Sequence, residues 1–226
     1  MKLAIYDFDG TLCEEETIPF LIAFYRKNNY SYRKLGKFYL KMLGATAKYI
    51  SRIDASFDKE KYREIAAKNF MILFEEMKKE EIISFFAASA SELAKSFNPM
   101  VVASIEERKA DDYHIVLCSG ANTLLLNEVA QYIPIDTIIG TELHFLEDGT
   151  YDFNSELFVT TGKNKPIVLL DRFMNKNIDW QNSCAYGDSF YDYDILKLTG
   201  TPVAVNPDKG LREIAMENGW DVLEEK

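Results

Sequence analysis

Five short apolar runs bounded by turn residues constrain this chain most: Lys2–Tyr6, Tyr113–Cys118, Thr137–Ile139, Cys184–Tyr186 and Pro202–Val205. Helical patterns such as Ala121–Gln131 and Lys165–Asn175 lie between most of them. Alternation of this kind predicts an α/β fold, a doubly wound parallel sheet with helices on both faces. One interval breaks the rhythm. From Glu14 to Phe97 there is no strand pattern, only helical stretches rich in Phe, Tyr, Leu, Lys and Glu. A parallel crossover needs a dozen or more residues and not about 80. The interval therefore reads as an inserted all-helical lobe, residues 14–97, in a core made of 1–13 and 98–226. Within the lobe, the aromatic stretch Phe20–Tyr49 reads as its own core rather than a lipid-binding surface, and Glu75–Glu81 with Lys78 and Lys79 as a solvated helix face. In the core, Asp148-Gly149 between Leu143–Leu146 and Tyr151–Phe153 predicts a β-hairpin.

Composition excludes several classes. A chain of 226 residues, 47% hydrophobic and 27% charged, suits a soluble globular protein with one large domain or a core plus a lobe. The net charge of −10 leaves no basic footprint for nucleic acid or for an anionic membrane, so an anionic ligand would need its own local cations. No apolar run reaches the roughly 20 residues that span a bilayer. The first strand starts at Lys2, which leaves no room for a signal peptide, and Cys13, Cys118 and Cys184 form neither a disulfide framework nor a metal knuckle. A cytoplasmic, reduced setting is the expectation. The oligomeric state is not readable from this pattern, and a monomer fits it.

Chemistry concentrates at the carboxyl ends of the strands, where open α/β sheets bind ligands. The first strand runs into Asp7-Phe8-Asp9-Gly10-Thr11, and two carboxylates there are costly to bury without a partner. The second runs into Cys118-Ser119-Gly120-Ala121 and then, on this reading, straight into a helix whose N-terminus is a ready anion site. The fourth runs into Gly187-Asp188-Ser189, with Asp192 beyond it, and Thr161-Gly162-Lys163-Asn164-Lys165 precedes the helix before that strand. Acids from two strands suit a hard cation, Mg²⁺ first, and a lysine suits a phosphate. This is the inventory of a phosphoryl-transfer site. Cys118 reads as a small buried residue rather than a thiol nucleophile, since neither His114 nor His144 is placed as its base.

Asp-x-Asp-Gly-Thr at Asp7–Thr11, strand-terminal Ser119, Gly-x-x-Lys at Gly162–Lys165 and Gly-Asp-Ser-x-x-Asp at Gly187–Asp192 resemble the ordered motifs of the haloacid dehalogenase superfamily. The helical lobe after the first motif, and the tail Ala204–Asp208 with Leu211 and Ala215, resemble its phosphoserine-phosphatase-like branch. The resemblance implies a Rossmann-like core with a helical cap, Mg²⁺ as cofactor and a small phosphorylated metabolite as substrate. It implies Asp7 as nucleophile and Asp9 as general acid and then base. Ser119, the Gly120 amide and Thr11 would bind phosphate, and Lys165 would neutralise charge. Asp7, the Asp9 carbonyl and Asp188 would hold the metal, with Asp192 orienting Lys165 or a metal-bound water. An acid at Asp9 favours ester hydrolysis over dehalogenation.

Some alternatives stay open at this level. Lys163 competes with Lys165 for the motif lysine, with Lys165 preferred on spacing. Glu16 either recognises a substrate amine, as the resemblance implies, or complements a helix dipole. Arg52 either meets a substrate carboxylate or is simply exposed. Phosphoserine or a similar amino-alcohol phosphate is the substrate to try first. A phosphotransferase using the same aspartyl-phosphate, and a non-catalytic phospho-ligand binder, are the rival functions.

Overall fold

The period-2 alternation of the strands decides how the sheet is covered. In the computed structural model, which describes residues 1–52, 54 and 56–224, Leu3 and Ile5 join one apolar cluster while Ala4 and Tyr6 join another. The strands β1 (Leu3–Tyr6), β2 (His114–Asn122), β3 (Thr137–Thr141), β4 (Cys184–Gly187), β5 (Thr201–Val205) and β6 (Asp221–Leu223) form a parallel sheet in the order β3-β2-β1-β4-β5-β6. This order has its topological switch between β1 and β4, the place where such sheets open a ligand crevice.

Helices α1 (Thr17–Lys27), α2 (Tyr32–Ser51), α3 (Lys59–Phe70) and α4 (Lys79–Leu93) lie between β1 and β2, followed by α5 (Pro99–Ala110). Next come α6 (Thr123–Val129), α7 (Asn164–Phe173), α8 (Tyr193–Leu196) and α9 (Lys209–Asn218). Ile82, Phe85 and Phe86 of α4, Val101 and Ile105 of α5, and Leu125 and Leu126 of α6 cover the Tyr6 face. Leu169 and Phe173 of α7, Ile195 and Leu196 of α8, and Leu211 and Ala215 of α9 cover the other. The sheet is doubly wound, with helices on both faces, and an all-helical segment is inserted after its first strand.

The inserted segment leaves and re-enters the core at one point. Cys13 pairs with Phe97, the Glu14 N–H donates to the Ser96 carbonyl at 3.0 Å, and the Asn98 N–H donates to the Leu12 carbonyl at 2.8 Å. Just beyond this neck, Asn98 caps α5 by accepting from the Met100 N–H at 3.0 Å, with Pro99 opening the helix. Within the insertion, α4 packs on α6 of the core, and α1, α2 and α3 stand over the strand ends. Phe85 ties the two parts together, edge-on to Phe24, Tyr30 and Phe74.

Several local expectations change. β1 stops at Tyr6, and Asp9 sits in a tight turn closed by Gly10 N–H to Cys13 O at 2.7 Å and Cys13 N–H to Phe8 O at 2.8 Å. Asp7 and Asp9 are therefore not alternate residues of one extended strand. β2 continues through Ser119 and Gly120 to Asn122, because Asn122 pairs with Thr141 and the Thr141 hydroxyl donates to the Gly120 carbonyl at 2.8 Å. Ser119 thus stands in a strand and not at a helix N-terminus. The hairpin forms but is short: Phe145 pairs with Tyr151, the Leu146 N–H donates to Thr150 O at 2.8 Å and the Asp152 N–H to His144 O at 2.9 Å. Glu75–Glu81 is not one helix face: a 3₁₀ turn, Met71–Phe74, precedes it, Lys78 bridges to Thr150, and α4 starts only at Lys79. The Phe20–Tyr49 stretch divides, with Leu21, Tyr25, Leu35, Phe38 and Met42 buried while Tyr32, Tyr39, Leu40 and Leu43 are exposed. β6 carries too short an apolar pattern to stand out in the sequence.

Candidate active site

At the β1–β4 switch, Lys165 reaches out of the first turn of α7 and is buried between two acids. Its Nζ donates to Asp7 Oδ1 at 2.6 Å and to Asp192 Oδ1 at 2.6 Å. The second Asp192 oxygen accepts from the Ser189 N–H at 3.2 Å and the Ser189 hydroxyl at 2.9 Å. Burial works against the Lys165 ammonium, but Asp192 and Asp7 outweigh it and hold the lysine charged. Burial likewise lifts the Asp7 carboxyl above the ordinary range, Lys165 pulls it back, and Asp192 pushes it up again. Lys163, the competing lysine, is exposed and takes no part.

Asp188 follows β4 and lies against Gly10, where a Cβ would stand 2.5 Å from Asp188 Oδ2, so only glycine lets this turn approach the acid. The φ of +79° at Gly10 makes the same demand. Burial, then Asp192 and Asp7, raise the Asp188 carboxyl, and its Oδ1 is buried without a hydrogen-bond partner. Carboxylate oxygens of Asp7, Asp188 and Asp192 lie within 4.8 Å of one another. An orphaned, buried oxygen beside a second carboxylate is the donor set a hard cation fits. Asp192 already accepts three hydrogen bonds from Lys165 and Ser189 while Asp7 accepts one from Lys165, so Asp7 and Asp188 keep the most acceptor capacity for a cation.

Asp9 is held differently. Its Oδ1 accepts from the Thr17 N–H at 2.9 Å and from the Thr17 hydroxyl, at the start of α1. Burial raises the Asp9 carboxyl, opposed by the Thr17 hydrogen bonds and by the charge of Arg63. Glu16, which lines the same cavity, does not present a free charge: Arg63 Nη2 stands 2.6 Å from Glu16 Oε1 and Lys59 Nζ 3.4 Å from it. Ser119 is buried, its Oγ accepts from the Ala121 N–H at 3.1 Å, and with Gly120 it lines the cavity opposite Asp7 and Lys165.

Two of the expected site residues are elsewhere. Arg52 ends α2 in a left-handed conformation, is exposed, and does not line the cavity. Arg63 stands where a cap cation was sought. Thr11 is fully buried behind the turn with an unpartnered hydroxyl and does not reach the cavity. Thr17 and Arg63 also belong to the site, and Ser189 of the Gly-Asp-Ser motif gains a role as the partner of Asp192. Arg63 shares one helical stripe with Tyr62, Ala66 and Phe70, and that periodicity was the only signal for it. Cys118 is buried with its thiol pushed up to about 12 by burial, and His114 sits at the far end of β2 on the Thr137 hydroxyl, 2.8 Å away. Neither supports thiol chemistry. Among the described residues no helix is long and apolar enough to cross a membrane.

A cavity of about 780 Å³ runs from these carboxylates up into the inserted helices. Residues 4–197 match the haloacid dehalogenase-like hydrolases, so the chain belongs to that family. It is 29% identical over 150 residues to a histidinol-phosphatase of Neisseria meningitidis, covering 64% of this chain and 67% of that protein. Phosphoserine phosphatase SerB1 of Mycobacterium tuberculosis is 37% identical over 67 residues, 30% of this chain and 21% of its own length. Apart from the Neisseria protein, the curated relatives it matches are spanned over less than half their length. A Bordetella pertussis protein of unknown function superposes with a TM-score of 0.81 at 19% identity, over 98% of this chain and 97% of that one. An apo phosphoserine phosphatase superposes with a TM-score of 0.61 at 20% identity, over 100% and 94%. The protein is a hydrolase of this fold.

Proposed function

We propose that the protein is a Mg²⁺-dependent phosphomonoesterase working through an aspartyl-phosphate on Asp7. One observation carries the reading. Two buried acids face one cavity in different settings, Asp7 on the Lys165 ammonium and Asp9 on a hydroxyl and an N–H. Burial raises both carboxyls, and it is their different partners, an ammonium for Asp7 and a hydroxyl with an N–H for Asp9, that divide their roles. Asp7, ion-paired, is the nucleophile: its carboxylate oxygen forms a bond to phosphorus as the ester P–O bond breaks. Asp9, whose carboxyl burial raises above its ordinary value, gives its proton to the departing alkoxide. As a carboxylate it then takes a proton from water, whose oxygen bonds to phosphorus as the Asp7–phosphorus bond breaks. Phosphate and free Asp7 result. Ser119 and the Gly120 N–H steady the phosphate oxygens, and Lys165 offsets their charge.

Asp7 and Asp188, with the Asp9 carbonyl, would hold Mg²⁺, which when bound supplies positive charge against the transferring phosphoryl group. Residues 14–97 act as the cap, and α1, α2 and α3 keep bulk water from Asp9 until the alcohol has left. The histidinol-phosphatase and phosphoserine phosphatase names among the relatives support phosphate-ester chemistry. The paired state of Glu16 speaks against an amine-recognising acid and hence against phosphoserine itself. Purified protein should hydrolyse p-nitrophenyl phosphate with Mg²⁺, stop in EDTA, and lose at least about a thousandfold in Asp7→Asn. Undiminished activity in either condition would sink the reading.

A further inference from the structure

We infer that the alcohol released is a long apolar one, so that the substrate is a phosphomonoester with an alkyl or acyl tail lying in the cap chamber. This rests on the phosphatase reading above. Beyond Asp9 the cavity is walled by Ile18, Leu21, Ile22, Met42, Phe70 and Met71. An amino-acid-sized phosphate would leave most of its 780 Å³ unfilled. An apolar void forfeits dispersion contacts and takes apolar guests. The wall of α3 shows why the space exists: Ala66 and Ala67 face it where larger side chains would close it.

Several polar groups in this chamber are already paired with one another. The Thr46 hydroxyl and the Tyr62 hydroxyl share a hydrogen bond at 3.3 Å, and Glu16 is bound by Arg63 at 2.6 Å. Arg26 and Glu60 also line the cavity, and these are the charges an amino-alcohol phosphate would have to reach. The far rim is apolar as well. Tyr39 and Leu43 line the cavity and are 49% and 63% exposed, so the chamber opens to solvent between apolar side chains of α2. Leu40 and Ile50, 70% and 73% exposed, continue that surface along the helix. In a chain of net charge −10, α2 carries Arg33, Lys34, Lys37, Lys41 and Lys48 and no acid. Lys34 and Lys37 are engaged by Glu75 and none of the five lines the cavity, so this helix adds a positive field along the approach, to which an anionic amphiphile is drawn.

The test is a chain-length series, ethyl to decyl phosphate, held as monomers with Mg²⁺ beside p-nitrophenyl phosphate. We expect kcat/KM to rise about fourfold per added methylene until the chamber is full, as burial of each methylene predicts. Phosphoserine should fall below butyl phosphate. A flat series, or phosphoserine above octyl phosphate, in enzyme that turns over p-nitrophenyl phosphate overturns the tail and leaves the phosphatase standing. If no phosphate is turned over, the phosphatase reading fails, and decylphosphonate against ethylphosphonate in calorimetry judges the chamber alone. A hundredfold preference for decyl supports it, and equal affinity overturns it. Ala67→Phe should cut the octyl-to-ethyl ratio about tenfold. Leu43→Gln, at an exposed position that folding does not need, should cut the decyl-to-ethyl ratio about threefold. Unchanged ratios in both overturn the proposal. Turnover of decyl phosphate embedded in phosphatidylcholine vesicles assigns a lipid substrate and turnover of monomers alone a free one, and either supports a tail.

Discussion

The floor and the roof of the cavity are built on opposite principles. At the floor, every charged side chain described except Asp188 has a named partner within about hydrogen-bond reach: Lys165 on Asp7 and Asp192, Asp192 on Ser189, Asp9 on Thr17. The partners come from the loops after β1 and β4, from α7 and from α1. At the roof, α1, α2 and α3 meet the cavity with apolar side chains of assorted size and little directional bonding. Directional contacts hold reacting atoms to within fractions of an ångström, whereas apolar walls adapt and respond mainly to volume. The chemistry is therefore specified atom by atom, and the leaving group only by shape.

Substitutions should separate the two. Lys165→Met strips a buried cation from two acids, and such breakage costs about 3–5 kcal/mol in chemical unfolding. It should also lower phosphate hydrolysis about a hundredfold or more. A stable, active Lys165→Met protein would mean that the floor is not a coupled network. Asp9→Asn should cost about a hundredfold to ten-thousandfold with alkyl phosphates. The loss should be smaller with p-nitrophenyl phosphate, whose phenolate leaves without a proton, and equal losses would take the acid role from Asp9. Thr17→Val removes one hydrogen bond to Asp9 and keeps the N–H, so a roughly fivefold fall in kcat is expected. A drop as large as that of Asp9→Asn would make Thr17 more than an orienting group.

The smallest effect belongs to the roof. Burial would raise Glu16, but Arg63 and Lys59 outweigh it and hold the carboxyl below its ordinary value. A folded value below the unfolded one means that the pair contributes above pH ~4.3 and that this contribution fades as pH falls through the folded value. Glu16 is half exposed, so Glu16→Gln should cost under about 1 kcal/mol at neutral pH and flatten the acid side of the stability profile. An unfolding series between acid and neutral pH checks this, and an unchanged profile would remove the pair from the account.

What the sequence disclosed follows the same division. Asp7, Asp188, Asp192 and Lys165 are tied to strand ends or a helix start, features with local signatures, and they do meet. The continuation of β2 past Ser119 was hidden because Ser-Gly-Ala-Asn looks like a turn into a helix. Only pairing with Thr141, far along the chain, holds it extended. Arg63 and Arg52 were indistinguishable as letters. Their fates depend on which face α3 turns inward and where α2 ends, and packing between helices decides both. The chamber was illegible for a related reason: apolar residues at helical spacing describe a filled core and an open cavity equally well.

The neck at Cys13 and Phe97 has a further consequence for how such a molecule can be rebuilt. Because the two ends of the insertion are pinned side by side, the path from β1 through α5 to β2 is an ordinary crossover whether the intervening helices are present or not. A different lobe could be spliced between the same two residues without rethreading a strand or moving Asp7. A graft must replace in kind α4, which also shields α6, and Thr17, which holds Asp9. Geometrically, the sheet experiences the whole excursion as a loop of no length.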